Sequence, residues 1–212
     1  AVPSNWSSGT ASVGAAHVLG LRITFPDHQF EENDTLDALQ SIIGPKTQNA
    51  AVPAGTSPFP YESLSAYYYR ASYGKLSLTG ETFNYAAKYE RDYYTNNPKS
   101  LVAEALAALD ESEDLSRFDA NEDGKLDAVY VHFAGPDTGW GSVWWSNEST
   151  ASDPTLYEDG SVRLWNMVLL AENSSNSWAA RTIIHETGHV LGLPDYYSAR
   201  SQTGQGSDHS GI

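Results

Sequence analysis

The sequence predicts an α/β (α+β) fold in one domain, and three observations carry that prediction. Strand-length apolar runs alternate with segments of helical period; no internal repeat or low-complexity tract divides the 212 residues; and the last helical segment carries His185-Glu186-Thr187-Gly188-His189. A chain of this length buries a sizeable core of its own.

Taken in order, residues 1–14 are small and polar with no period and read as a flexible arm. Val18 to Phe25 alternates as a strand and stops at Pro26-Asp27. Asp34 or Thr35 then caps a helix with Leu36, Leu39, Ile42 and Ile43 on one face, ended by Gly44-Pro45. Residues 45–60, rich in Pro, Gly and Ser, read as a surface loop. Ser63 to Ala71 places Leu64, Tyr67, Tyr68 and Ala71 at helical spacing before Gly74 breaks it. Leu76 to Tyr85 reads as a strand, and Pro98 to Leu109 as an amphipathic helix burying Leu101, Val102, Ala105, Leu106 and Leu109. Ala128 to Ala134 and Trp165 to Glu172 are apolar enough for buried strands, the second a candidate open edge for an extended peptide. Residues 135–163 show no period and read as long loops around a site. A final helix is expected from about Trp178 to Leu191, capped by Asn176 or Ser177, so that the domain spans 15–200 and a flexible tail 201–212.

Composition excludes several classes of function. The net charge is -15, and the twelve Lys and Arg form no cluster, which argues against nucleic acid and anionic membranes as partners. No apolar run reaches the length of a membrane span, and no signal peptide is recognisable. There is no cysteine, so a metal has to be held by His and carboxylate groups. Asn-x-Ser/Thr sequons at Asn5, Asn33, Asn147 and Asn173 carry little weight in a chain rich in these residues.

The last helix concentrates the chemistry. Histidines four apart project from one face, one turn from each other, so both imidazoles reach one ion. Glu186 points to the neighbouring edge, where its carboxylate serves a metal-bound water as general base instead of joining the ligands. Catalytic zinc usually takes three protein ligands. Gly192 supplies a left-handed turn and Pro194 forbids more helix, so the chain can bring Asp195 back as the third. The bare HExxH pattern arises in a shuffled sequence with a chance of roughly one in a hundred, and the added Gly and Asp lower that by about two orders of magnitude.

His185 to Tyr197, HETGHVLGLPDYY, closely resembles the zinc segment of the immune inhibitor A family of secreted bacterial metalloproteases, which stand with or near the metzincins. Val18 to Phe30, Ser63 to Glu81, Phe118 to Gly135 and Ser142 to Ser146 are similar to that family's pattern in the same order. The resemblance implies a metzincin-like domain, a twisted mixed sheet with backing helices above a cleft, extracellular location, a polypeptide substrate, and zinc held by residues matching His185, His189 and Asp195. It also implies a methionine in a turn beneath the zinc. The single methionine, Met167, lies upstream, so a lower lobe carrying that turn is expected after Ile212.

Asp119, Asn121 and Asp123, followed by Gly124 and Asp127, form the first part of an oxygen-rich calcium loop. Tyr130 stands at the twelfth position, where an EF-hand has glutamate, and a strand follows, so the alternative is an Asp/Asn turn closed by its own hydrogen bonds. His132 is expected to be a satisfied sheet histidine, His17, His28 and His209 to be solvated, and Trp140, Trp144 and Trp145 to pack in the core. Tyr196 and Tyr197 flank the zinc segment with no role assigned. The expected activity is a zinc-dependent endopeptidase with Glu186 as base. The rival is an inactive calcium- or zinc-binding adhesion or binding module, which has no need of a general base.

Overall fold

A computed structural model describes residues 10–47, 62–139, 142–151, 155–157, 160–172 and 176–195, with the backbone alone over 176–180. It is a mixed α/β structure. A five-stranded sheet contains β1 (Gly14–Thr24), β2 (Leu76–Ala86), β3 (Val129–Phe133), β4 (Asn147–Thr150) and β7 (Asn166–Ala171), in the order β2-β1-β3-β7-β4. β5 (Leu156–Tyr157) and β6 (Val162–Arg163) form a separate two-stranded ribbon. The four helices are α1 (Leu36–Ile43), α2 (Leu64–Ala71), α3 (Pro98–Leu109) and α4 (Asn176–Val190).

β1 runs parallel to β2 and β3, and β3 parallel to β7, whereas β4 is antiparallel to β7. Side chains alternate across the sheet, so each strand feeds two cores. Leu19, Leu21 and Ile23 of β1 pack with Val129, Val131, Met167, Leu169 and the apolar face of α3. Ala16 and Val18 face the other way, with Tyr130, Val168 and Leu170, toward α1, α2 and α4. Burial on both faces explains the near-continuous apolar runs of β3 and β7.

Helix starts follow local chemistry. Thr35 Oγ1 accepts from the Ala38 N–H at 3.1 Å and Ser63 Oγ from the Ala66 N–H at 3.2 Å. α1 lies close on the sheet because two strand glycines leave room. A Cβ on Gly20 would stand 2.9 Å from Ile43 Cδ1, and one on Gly80 would stand 2.8 Å from Ile43 Cγ2.

Several expectations need correction. β7 is not an edge: β4 covers it, and β4 went unread because NEST is short and polar with no apolar alternation. β1 starts at Gly14, ahead of Val18, because GAAH pairs with β2 although its residues carry no strand signal. Of the expected arm, residues 1–9 lie outside the described residues, but Thr10 is buried and its hydroxyl donates to the Asp127 carbonyl. In α2 Leu64 and Tyr68 are buried as expected, but so is Ser65, whose hydroxyl donates to the Leu78 carbonyl at 2.6 Å, while Ala71 is exposed. The loop expected at 45–60 is described only to residue 47, and the tail 201–212, Trp140, Tyr196, Tyr197 and His209 lie outside the described residues.

Candidate metal centre

α4 is fixed to the sheet by its buried face. Ile183, Ile184, Thr187 and Val190 pack inward, the Tyr68 hydroxyl donates to the Ile184 carbonyl at 2.7 Å, and the Tyr130 hydroxyl bonds Thr187 Oγ1 at 2.7 Å. His185 and His189 are left half-buried on the helix rim. The helix then closes with paired bonds, Gly192 N–H to the His189 carbonyl and Leu193 N–H to the Gly188 carbonyl, both 2.8 Å, with Gly192 at φ 87°. Such a closure needs a left-handed residue, which glycine adopts without a Cβ penalty. Pro194 and Asp195 follow, and Asp195 returns to the imidazoles.

His185 Nε2 and His189 Nε2 are 3.2 Å apart, and Asp195 Oδ1 is 3.3 Å from the first and 3.2 Å from the second. A tetrahedral ion with ligands at about 2.0 to 2.1 Å requires ligand atoms separated by about 3.3 Å. The trio therefore fits zinc in donor type and in spacing. Among the described residues it is the set of three or more His, Asp and Glu side chains whose ligand atoms converge closely enough to share an ion. His189 Nδ1 lies 2.8 Å from the Leu193 carbonyl, a contact that places the ring proton on Nδ1 and leaves Nε2 as the donor atom. Burial, then the neighbouring His189, holds the His185 pKa below the ordinary imidazole value, which favours the neutral ligand form.

Glu186 stands apart from the trio. It is 8 % exposed, and its Oε2 accepts the Glu148 N–H at 2.7 Å. Burial pushes its pKa up to about 7, and His189 opposes the rise. A cation held by the trio would pull it back down.

The pairing of β4 shows which of its groups are open. Ala151 N–H donates to the Trp165 carbonyl at 2.7 Å, so residues in register with that pair turn their amides toward β7. Glu148 and Thr150 alternate with them and point their amides and carbonyls outward. The Glu148 N–H thus meets Glu186, and Lys99 Nζ donates to the Thr150 carbonyl at 3.4 Å and the Ala151 carbonyl at 2.8 Å. Glu148, which the sequence reading passed over, sits beside the metal trio. Only the register of β4 could have revealed it.

The aspartate loop is built differently. Asp119 accepts the Asp123 N–H at 3.0 Å and the Gly124 N–H at 2.8 Å, Asn121 accepts the Asp123 N–H at 3.3 Å, and Asp123 accepts the Lys125 N–H at 3.0 Å. Asp127 is fully buried, and its Oδ2 accepts from His17 N at 2.7 Å and Ala120 N at 3.2 Å while Oδ1 has no partner. Burial pushes the Asp127 pKa up to about 7. The ligand atoms of the three aspartates do not all lie within 4.8 Å of one another, and the predicted calcium residues form a hydrogen-bonded turn.

Among the other residues singled out, His132 is buried and bonds Asp34 through Nε2 at 2.7 Å, with Nδ1 unpartnered. Trp144 is a core residue, edge-on to Phe25 and Phe133, and its Nε1 donates to Thr95. His17 is not solvated as expected. Its ring stacks on Phe118 at 4.9 Å and bonds Thr79 Oγ1 at 2.7 Å, because the strand begins three residues before it.

A scan against family models and a search of curated proteins find no match to the chain. Among the described residues no helix is long and apolar enough to cross a membrane.

Proposed function

We propose that the protein is a zinc-dependent endopeptidase. The observation that carries the reading is the donor triangle of His185, His189 and Asp195, with sides of 3.2, 3.2 and 3.3 Å, from which the buried carboxylate of Glu186 is excluded. A structural zinc site is usually closed by a fourth protein ligand, and a carboxylate held next to three ligands without joining them suits a proton carrier. The resemblance of His185 to Tyr197 to the immune inhibitor A zinc segment supports the same reading, including a metzincin-like fold and an extracellular setting.

When bound, zinc supplies Lewis acidity toward a carbonyl oxygen and acidifies water. The chain does the rest. His189 is oriented by the Leu193 carbonyl, and the sharp closure at Gly192 presents Asp195. Glu186 accepts the proton of the attacking water and delivers it to the leaving amine, its position fixed by the Glu148 N–H. An extended peptide adds to the outward edge of β4, not of β7, through the Glu148 carbonyl and the groups before it, and Lys99 limits pairing beyond Thr150.

The test combines metal analysis with cleavage of an unfolded protein such as casein. The expected result is one zinc per chain and cleavage that falls by at least about 10²-fold in Glu186→Ala with zinc still bound. Zinc bound at full occupancy, without cleavage by the unaltered protein, overturns the reading and leaves a metal-binding module.

A further inference from the structure

Glu148 offers the metal centre two different groups. Its main chain holds Glu186, and its side chain is a separate acid. In the antiparallel register Glu148 stands opposite Val168, whose side chain belongs to the core beneath α4. Directly opposed residues put their side chains on the same face of a sheet, so the Glu148 carboxylate points to the α4 face. It is half-buried there, and burial raises its pKa above the ordinary carboxylate value while the neighbouring His189 opposes the rise. Nearby acids are committed: Glu186 to the Glu148 N–H, and Asp195 to the two imidazoles. Two basic groups of the neighbouring helices have other partners. Lys99 is bonded to the carbonyls at the far end of β4, and Arg181 is exposed and acts on His185. Among the described residues no Lys or Arg forms an ion pair with Glu148.

We propose that Glu148 selects substrates carrying a cationic side chain, Lys or Arg, within two residues of the scissile bond. This rests on the endopeptidase reading above. A peptide added to the outer edge of β4 places one residue directly opposite Glu148, with its side chain on the same face and Cβ atoms about 5 Å apart. Because the Glu148 N–H is bonded to the base, that substrate residue lies next to the bond being cleaved. The half-buried carboxylate attracts a cation there and repels an anion, and partial burial strengthens both effects relative to open solvent. A net charge of -15 acts in the same direction at longer range.

The experiment uses the full zinc-loaded chain and a peptide set with Lys, Gln or Glu placed one at a time at the four positions flanking the cleaved bond. At one position Lys is expected to exceed Glu in kcat/KM by about tenfold. Glu148→Gln reduces that ratio to within about twofold, and Glu148→Lys inverts it. Both substitutions keep the main-chain bond to Glu186, and a ratio between peptides does not depend on how much of a variant is folded. Cleavage with no charge preference, or a preference unaltered in both variants, overturns the assignment of Glu148 and leaves the endopeptidase reading standing. No cleavage of any peptide by the zinc-loaded protein overturns both.

Discussion

The metal trio and the aspartate loop look alike in sequence and end up opposite in structure. Each sets potential ligand side chains around a left-handed glycine, Gly192 at φ 87° and Gly124 at φ 78°. At the trio the nearby amides are already spent, those of α4 within the helix and those of Gly192 and Leu193 in its closure, and among the described residues Asp195 faces the two imidazoles. In the loop the turn leaves amides at Ala120, Asp123, Gly124 and Lys125 without ladder partners, and the aspartates take them. A carboxylate becomes available to a metal where the surrounding backbone is already satisfied. Substitutions in both regions can break that contrast.

The largest effect is expected on zinc affinity. His189→Ala removes one corner of the triangle and lowers affinity by roughly three orders of magnitude, more than the 10- to 100-fold typical of losing an outer partner. Asp119→Ala changes it by less than about twofold, since the loop contributes nothing to the ion. Competition with a chromogenic chelator measures both. Comparable losses in the two variants contradict the contrast.

Much of this was legible in the sequence, and the exceptions share a cause. α3 reads directly from its period, and its five expected residues are the buried ones. The trio was legible because helical spacing fixes His185 against His189, and Gly192 with Pro194 forces the chain back. β4 was not legible, because a four-residue polar strand carries no alternation to read, and missing it hid Glu148 and misplaced the sheet edge. The loop's motif was legible but its hydrogen bonding was not: Asp119, Asn121 and Asp123 suit a cation or a turn equally, and the structure shows their carboxylates and amide bonded to the turn's own N–H groups. His17 went astray for a related reason, since the small residues around it join a strand only through pairing with β2.

The next effect is on pH dependence. Asp127 is buried with Oδ1 unpartnered and a pKa of about 7 in the folded chain. Below about pH 4 both folded and unfolded chains hold the proton; as pH rises toward 7 the unfolded chain releases it first, so stability falls, then levels off. A gap of about 3 pH units corresponds to a loss of at most ~4 kcal/mol. Asp127→Asn is expected to lack this fall, as denaturant unfolding at pH 5 and pH 8 would measure against the unaltered protein. A wild-type slope no steeper than the variant's means that Asp127 is ionised when folded, as it would be under a bound cation, and that breaks the contrast. A smaller effect follows from Asp119→Ala, which strands the Gly124 amide, leaves the Asp123 amide only its longer bond to Asn121, and is expected to cost roughly 2 kcal/mol in the same measurement.

The smallest expected effect is the most direct comparison of the two regions. Calcium needs six to eight oxygens at about 2.3 to 2.6 Å, and the loop offers carboxylates that already carry backbone amides and do not converge. An ion there has to rearrange the turn before gaining its ligands, and a ligand stabilises a fold only in proportion to how far its concentration exceeds its dissociation constant. Calcium at about 1 mM, added to the zinc-loaded protein, is therefore expected to raise Tm by less than about 1 °C. Chelating zinc is expected to lower Tm by several degrees if the proposed zinc binds with a dissociation constant far below its concentration. A calcium-induced rise of several degrees, abolished by Asp123→Ala, would mean that the loop's amides yield their carboxylates to an ion, and that satisfied backbone is not what separates the two regions.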